Sequence, residues 1–397
     1  MTPAPRRSPL LHPAASHRLA AVPPTIFATM SRLAAEHNAV NLGQGFPDFD
    51  GPSWIMDEAL AAMRAGRNQY APMPGVLALR RAVAAYQKGH YGLDWDPESE
   101  ITVCAGATEA LFSAMLAMID PGDEVVMFEP FYDSHQANVL LAGGVPRYVT
   151  LHAPDFHFDA GELERALTPR TRMLILNNPD NPTGKVFRRD ELEAIADIAR
   201  WRDLVVLSDE VYEFLTYDGA RHIAFATLPG MRKRTIAISS TGKTFGMTGW
   251  KIGYAMAAPE LTAAIRSVHQ FVTFAVNTPG QHAMAHALSR LDAYLPEFRA
   301  LYASRRAQLH EALRDTVFTP HMPAGTYFMM ADLPVGSPDD VAVAMDLVTR
   351  AGVAVIPPSA FYAVSYEGTR MLRFCFAKTE ETIRAGAGRL REYRISE

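Results

Sequence analysis

From Ile101 onward, short apolar runs alternate with amphipathic stretches, and that alternation leaves few folds open. Ile101 to Cys104, Glu124 to Phe128, Val145 to Val149, Met173 to Leu176, Leu204 to Leu207 and Thr235 to Ile238 read as strands. Helical patterns separate them at Glu109 to Ile119, Ser134 to Leu141 and Asp190 to Trp201. The last of these sets Leu192, Ile195, Ala196 and Ala199 on one face. Runs this uniformly apolar are strands covered on both sides, so the expected fold class is α/β, a mainly parallel sheet with helices on both faces. Such sheets bind ligands at the carboxyl ends of their strands.

Three of those ends carry polar clusters. Asn177-Asn178-Pro179-Asp180-Asn181-Pro182-Thr183-Gly184 follows Leu176, and Ser208-Asp209-Glu210-Val211-Tyr212 follows Leu207. Taken singly, the first is an ordinary polar turn and Asp209 an ordinary helix cap. The third cluster changes the balance. Ser239 to Tyr254 is a glycine-punctuated loop between two apolar runs, with Lys243 near its centre. A lysine held between core strands is costly as an unpaired ammonium, and one escape is to condense with an aldehyde as an imine. Gly242-Lys243-Thr244 also supplies the ending of a phosphate-binding loop. That motif requires a glycine where Ala237 stands and a helix directly after it, and Gly246, Gly249 and Gly253 argue for continued turning.

Past Pro259 the pattern turns helical over Glu260 to Leu288 and again over Pro296 to Arg314. A smaller α+β set follows: Thr326 to Asp332, Pro338 to Ala351, Val353 to Ile356, Met371 to Phe376 and Glu380 to Tyr393. This gives an expected large domain over 47–290 and a smaller one built from 26–46 and 291–397, after a loose tail over 1–25. Arg373 stands in the otherwise apolar run Met371 to Phe376 and needs an anion, structural or bound. His282 and His286 share a helical face, but the zinc-protease pattern wants glutamate where Ala283 stands, so no metal is expected.

Composition excludes several function classes. The 397 residues carry a formal net charge of −5, which leaves no basic footprint for nucleic acid. Two cysteines, Cys104 and Cys375, lie in apolar runs and give no disulfide framework. The longest apolar runs are too short to span a bilayer, and prolines and charges interrupt the amino terminus where a signal peptide needs an apolar core. The expectation is a cytoplasmic protein with no membrane or nucleic-acid partner.

An imine-forming lysine, a buried aspartate, amide and phenol donors and a lone arginine together point to pyridoxal 5'-phosphate. On these motifs, with Asn41-Leu42-Gly43-Gln44-Gly45-Phe46-Pro47-Asp48 and Gly242-Lys243-Thr244-Phe245, the chain resembles the class I aminotransferases of fold type I, nearest to the kynurenine/glutamine and methionine aminotransferase branch. The resemblance runs from about Phe27 to the carboxyl end. It implies a large domain on a mainly parallel sheet of the seven-stranded type and a smaller α+β domain.

It also implies roles. Lys243 would hold the cofactor and then serve as general base and acid. Asp209 would pair with the pyridinium nitrogen, Asn181 and Tyr212 would meet the ring hydroxyl oxygen, and Tyr132 would stack on the ring. Ala107 and Thr108 at a helix start, with Ser240 and Lys251, would hold the phosphate, joined by Tyr70 from the partner of a homodimer. Arg373, Gly45 and Asn181 would take the substrate carboxylate, and Phe27 and the partner's Phe274 would shape the side-chain pocket. Where the kynurenine branch often carries a larger aromatic or a histidine, this chain has Phe27 and Ala275, which argues against kynurenine and leaves methionine, aromatic or glutamine-like donors open. A carbon–sulfur β-lyase would use the same lysine, and a non-catalytic regulator would need a DNA-binding segment for which the residues before Phe27 are too few.

Overall fold

The computed structural model describes residues 25–395, together with Ser16, Leu19 and Val22; the tail expected over 1–25 lies almost wholly outside the described residues. The strands, in chain order, are β1 (Val40–Asn41), β2 (Ile101–Ala105), β3 (Glu124–Glu129), β4 (Val145–Thr150), β5 (Thr171–Asn177), β6 (Val205–Asp209), β7 (Thr235–Ser240), β8 (Ile252–Met256), β9 (Thr319–Pro320), β10 (Phe328–Asp332), β11 (Val353–Ala354) and β12 (Met371–Cys375).

Seven of them form one sheet in the order β2-β8-β7-β6-β5-β3-β4, parallel except that β8 runs against both its neighbours. Alternation along β5 shows how both faces are buried. Met173 and Ile175 join Leu111, Met115, Val139 and Ile238 on one side. Leu174 and Leu176 join Leu192, Ile195, Phe187 and Val206 on the other. The helices Gly106–Met118 and Arg189–Trp201 lie on opposite faces because their apolar stripes feed opposite clusters.

The remainder gathers around two small sheets. In one, β10 sits between β12 and β9, with Met330 opposite Arg373; in the other, β1 pairs in parallel with β11, Val40 opposite Val353. The helical stretch expected as Glu260 to Leu288 is two helices, Pro259–Val272 and Thr278–Ser289, parted where Phe274 takes φ +65° and Asn277 caps the second by accepting from the Gly280 amide at 3.0 Å. The long helix begins at Leu291 and carries Pro296 inside its second turn, where the ring forfeits a single hydrogen bond. No described helix is long and apolar enough to cross a membrane.

A buried polar knot lies beneath the sheet. The Glu213 carboxyl accepts from Tyr91 at 2.7 Å, Ser239 at 2.6 Å and Tyr86 at 3.1 Å. Burial pushes its pKa up from 4.5 to about 7. The folded state therefore keeps a proton that the unfolded chain has already lost. The stability this contributes is complete below pH 4.5 and lost as pH rises to about 7. Glu213→Gln, a mimic of the neutral acid, is expected to flatten the fall in melting temperature across that window. An unchanged slope would assign the fall to other groups.

Candidate active site

Parallel pairing brings three strand ends side by side: Asn177 closes β5 opposite Asp209, which closes β6, and Ser240 closes the adjoining β7. Above them opens a cavity of about 250 Å³ lined by residues from distant parts of the chain, among them Phe27, Gly45, Tyr132, Asn181, Lys243 and Arg373. Most of the expected residues meet here: Ala107, Thr108, Asp209, Tyr212, Ser240 and Lys251 also line it.

Ser240 accepts from the Gly242 amide at 3.2 Å and so starts the single helical turn Thr241–Thr244. That turn aims Lys243 into the cavity. Burial pulls its amine down from 10.5 to about 8. The nitrogen lies 5.7 Å from the centre of the Tyr212 ring and 3.0 Å from the Tyr327 hydroxyl.

Part of the cavity lining is a helix start. The helix expected from Glu109 begins three residues earlier, at Gly106, whose φ of +73° lets it leave β2 without an intervening turn. No side chain caps it, so the first amides, at Ala107 and Thr108, face the cavity with their partial positive charge. Gly253 of β8 permits this approach, since a Cβ there would stand 2.5 Å from the Ala107 nitrogen. Lys251, held at φ +52°, brings its ammonium 2.9 Å from the Thr108 hydroxyl.

The Asp209 carboxylate, 3% exposed, is met at 3.0 Å by His135 Nε2 and accepts at 3.3 Å from the Val211 amide. Tyr132, one helical turn before His135, lies edge-on to it with ring centres 5.5 Å apart. Burial, then the carboxylates of Asp133 and Asp209, push the Tyr132 phenol up to about 12. Asp180 points elsewhere: it accepts from Thr183, hydroxyl at 2.6 Å and amide at 3.2 Å, and burial lifts its carboxyl to about 7.

Arg373, in β12, is 1% exposed. It donates to the Asn181 side-chain oxygen and to the Gly43 carbonyl, both at 2.9 Å, and lies over the Phe328 ring at 4.1 Å. Among the described residues no carboxylate pairs with it, and its Nε–H has no acceptor. A buried guanidinium left one donor short is a place for an incoming anion.

Tyr70 and Phe274 do not reach this cavity from their own chain. Tyr70 is 82% exposed, and the two rings pack edge-on at 5.3 Å on the surface. Sequence reasoning missed His135, Tyr327 and Phe328. For His135 the spacing from Tyr132 was a usable signal; for the other two nothing local was.

An uncapped helix start with an ammonium beside it, a buried carboxylate and a lysine of lowered pKa, all lining one cavity, fit a phosphorylated pyridine aldehyde. Comparison with known proteins agrees. The family model described as aminotransferase class I and II matches residues 37–390. The solved N-succinyldiaminopimelate aminotransferase from Mycobacterium tuberculosis is 45% identical and superposes with a TM-score of 0.92 over 95% of this chain and 99% of that one. The methionine aminotransferase of Escherichia coli (strain K12) is 42% identical across 93% of this chain and 95% of its own. Kynurenine–oxoglutarate transaminase 1 of Homo sapiens is 35% identical across 92% and 94%. The chain belongs to the class I and II aminotransferases and is a pyridoxal-phosphate-dependent enzyme.

Proposed function

We propose that this aminotransferase takes the α-amino group of a neutral amino acid, namely methionine, an aromatic or a glutamine-like one, and delivers it to a 2-oxo acid. Bound pyridoxal phosphate supplies the aldehyde and the electron-accepting ring. Lys243 would hold the cofactor and would serve as the base and acid that moves the proton of the donor's α-carbon. Asp209, steadied by His135, would pair with the ring nitrogen and keep it protonated. Asn181 and Tyr212 would meet the ring hydroxyl oxygen, and Tyr132 would cover the ring face. The Ala107 and Thr108 amides, Ser240 and Lys251 take the phosphate. Arg373 takes the donor's carboxylate, aided by the Gly45 amide and Asn181, and Phe27 lies beside the donor's side chain.

The observation that carries the donor class is the charge of the cavity. Among the described residues its cations are Lys243, Lys251 and Arg373, all engaged above; its lining also includes the apolar Phe27, Phe46, Leu111, Val211 and Phe328 and the neutral amide of Gln44. An apolar side chain is buried favourably there, whereas a second carboxylate would meet no unengaged cation among the described residues of the lining. The segments 26–46 and 291–397 would form the smaller domain that closes this side. Tyr70 and Phe274, exposed on one chain, would complete the cavity of a second copy in a homodimer with shared sites.

The M. tuberculosis relative favours a second reading, since that protein is an N-succinyldiaminopimelate aminotransferase. The distal carboxylates of such a donor would have to find cations outside this chain's cavity. A donor panel at fixed 2-oxo acid separates the readings. We expect kcat/KM for methionine or phenylalanine to exceed that for aspartate by about a hundredfold. A preference for N-succinyldiaminopimelate would overturn the neutral-donor reading. Release of pyruvate and ammonia from cystathionine in place of amino transfer would favour the β-lyase.

A further inference from the structure

The Lys243 amine has a partner that the expected site does not contain. Tyr327 Oη lies 3.0 Å from Lys243 Nζ, and the same hydroxyl is 2.6 Å from the Gly45 carbonyl oxygen, itself 3.5 Å from Nζ. A phenol has one proton, and a bare carbonyl can only accept. The Tyr327 proton is therefore spent on Gly45, and its lone pairs alone face the lysine.

The ring that carries this hydroxyl is fixed on several sides. It is 1% exposed, edge-on to Tyr212 at 5.1 Å and to Phe328 at 4.8 Å, and nearly parallel to Tyr302 at 6.0 Å. The residue before it, Thr326, is β-branched, wholly buried and held at φ +60°, a conformation such residues rarely adopt. It is kept there by the Leu215 carbonyl, which its amide meets at 2.9 Å, and by the Tyr217 hydroxyl, which donates to its carbonyl at 2.7 Å. Strain over-determined in this way clusters where a side chain must be aimed.

We propose that Tyr327 is a positioning residue: it holds the freed amine of Lys243 at one point of the cavity and ties that point to the Gly45 carbonyl. The proposal rests on Lys243 being the lysine that carries the cofactor and moves the proton. Its consequence is that the amine stays registered with the 43–48 segment, which faces the donor, whenever it is not covalently engaged. Tyr327 itself neither gives nor takes a proton in the reaction.

Tyr327→Phe tests this, because it keeps the ring packing and removes only the hydroxyl. Two readouts are measured: steady-state kinetics of the holoenzyme with methionine, and the pH dependence of pyridoxal phosphate capture by cofactor-stripped protein, with the adduct fixed by borohydride and mapped. We expect kcat to fall about tenfold or more with KM little changed, from misplacement of the amine. We also expect the capture midpoint to move down by about half a unit or more, since an ammonium loses an acceptor. A kcat within twofold of wild type together with an unmoved midpoint would reduce Tyr327 to packing. An adduct mapped to a lysine other than Lys243 would instead remove the reading on which the proposal stands. Should the variant fail to fold, 3-fluorotyrosine placed at Tyr327 keeps the shape with a poorer acceptor. A lowered midpoint then supports the proposal and an unmoved one overturns it.

Discussion

Lys243→Ala is expected to lower transamination by more than about a thousandfold, because in the proposed mechanism one side chain supplies both the covalent attachment and the proton transfer. The protein should still fold. Nothing in the sheet depends on the amine, whose contacts are the Tyr327 hydroxyl and the Gly45 carbonyl, and these remain bonded to each other without it. Melting temperature separates this from a folding defect and adds a second test through its pH dependence. In the cofactor-free protein the amine ionises at about 8, against 10.5 when exposed. Between those values the unfolded chain binds more protons than the folded one, so stability rises with pH across the window. Below pH 8 the destabilisation is at its full value. The alanine variant has no amine to desolvate, so its melting temperature should climb less from pH 8 to 10.5. A variant that turned over normally would end the proposed role of Lys243, and an unaltered pH slope would contradict the burial that gives the amine its reactivity.

The lysine was legible because its signals are local. Alone, the glycine-rich stretch around Lys243, the turn Asn177 to Gly184 and Asp209 each pass for ordinary loop or cap residues; together at the ends of buried strands they read as a site. Parallel register then sets those strand ends next to each other with no further instruction from the sequence. The sheet was readable for the same reason, since runs apolar on both faces fit only strands covered by helices. What remained hidden depends on contacts between residues far apart in the chain. Tyr327 reaches the Gly45 carbonyl across 282 positions, and no pattern around Gly325-Thr326-Tyr327-Phe328 marks it as more than a buried strand start. The start of the helix at Gly106 was misplaced because Ala105-Gly106-Ala107-Thr108 reads as a turn. The Glu109 carboxylate is spent on the Ala105 amide and the Ser113 hydroxyl, which folds the polar stretch into the helix itself.

Arg373→Lys should cost kcat/KM for methionine about 2 to 4 kcal/mol, or roughly thirtyfold to a thousandfold, although it keeps the charge. The reason is a count of donors. A guanidinium has five N–H groups in a rigid plane and an ammonium has three on a flexible stem. Two of the five are spent on Asn181 and Gly43, which leaves three, Nε–H among them, for an arriving carboxylate. A lysine satisfying the same two acceptors keeps one donor and cannot grip a carboxylate at two points. Phe27, Phe328 and Phe361 pack around the guanidinium carbon within 5.2 Å, so water is poorly placed to make up the difference. Burial already brings this arginine down to about 10, and a lysine in the same place would be pushed further toward neutrality. The loss should fall mainly on KM if the fork holds donor and transition state alike, and on kcat if it also sets the angle at the α-carbon. A lysine variant within threefold of wild type in both would show that the donor's carboxylate is held elsewhere. The unpartnered Nε–H would then need another explanation.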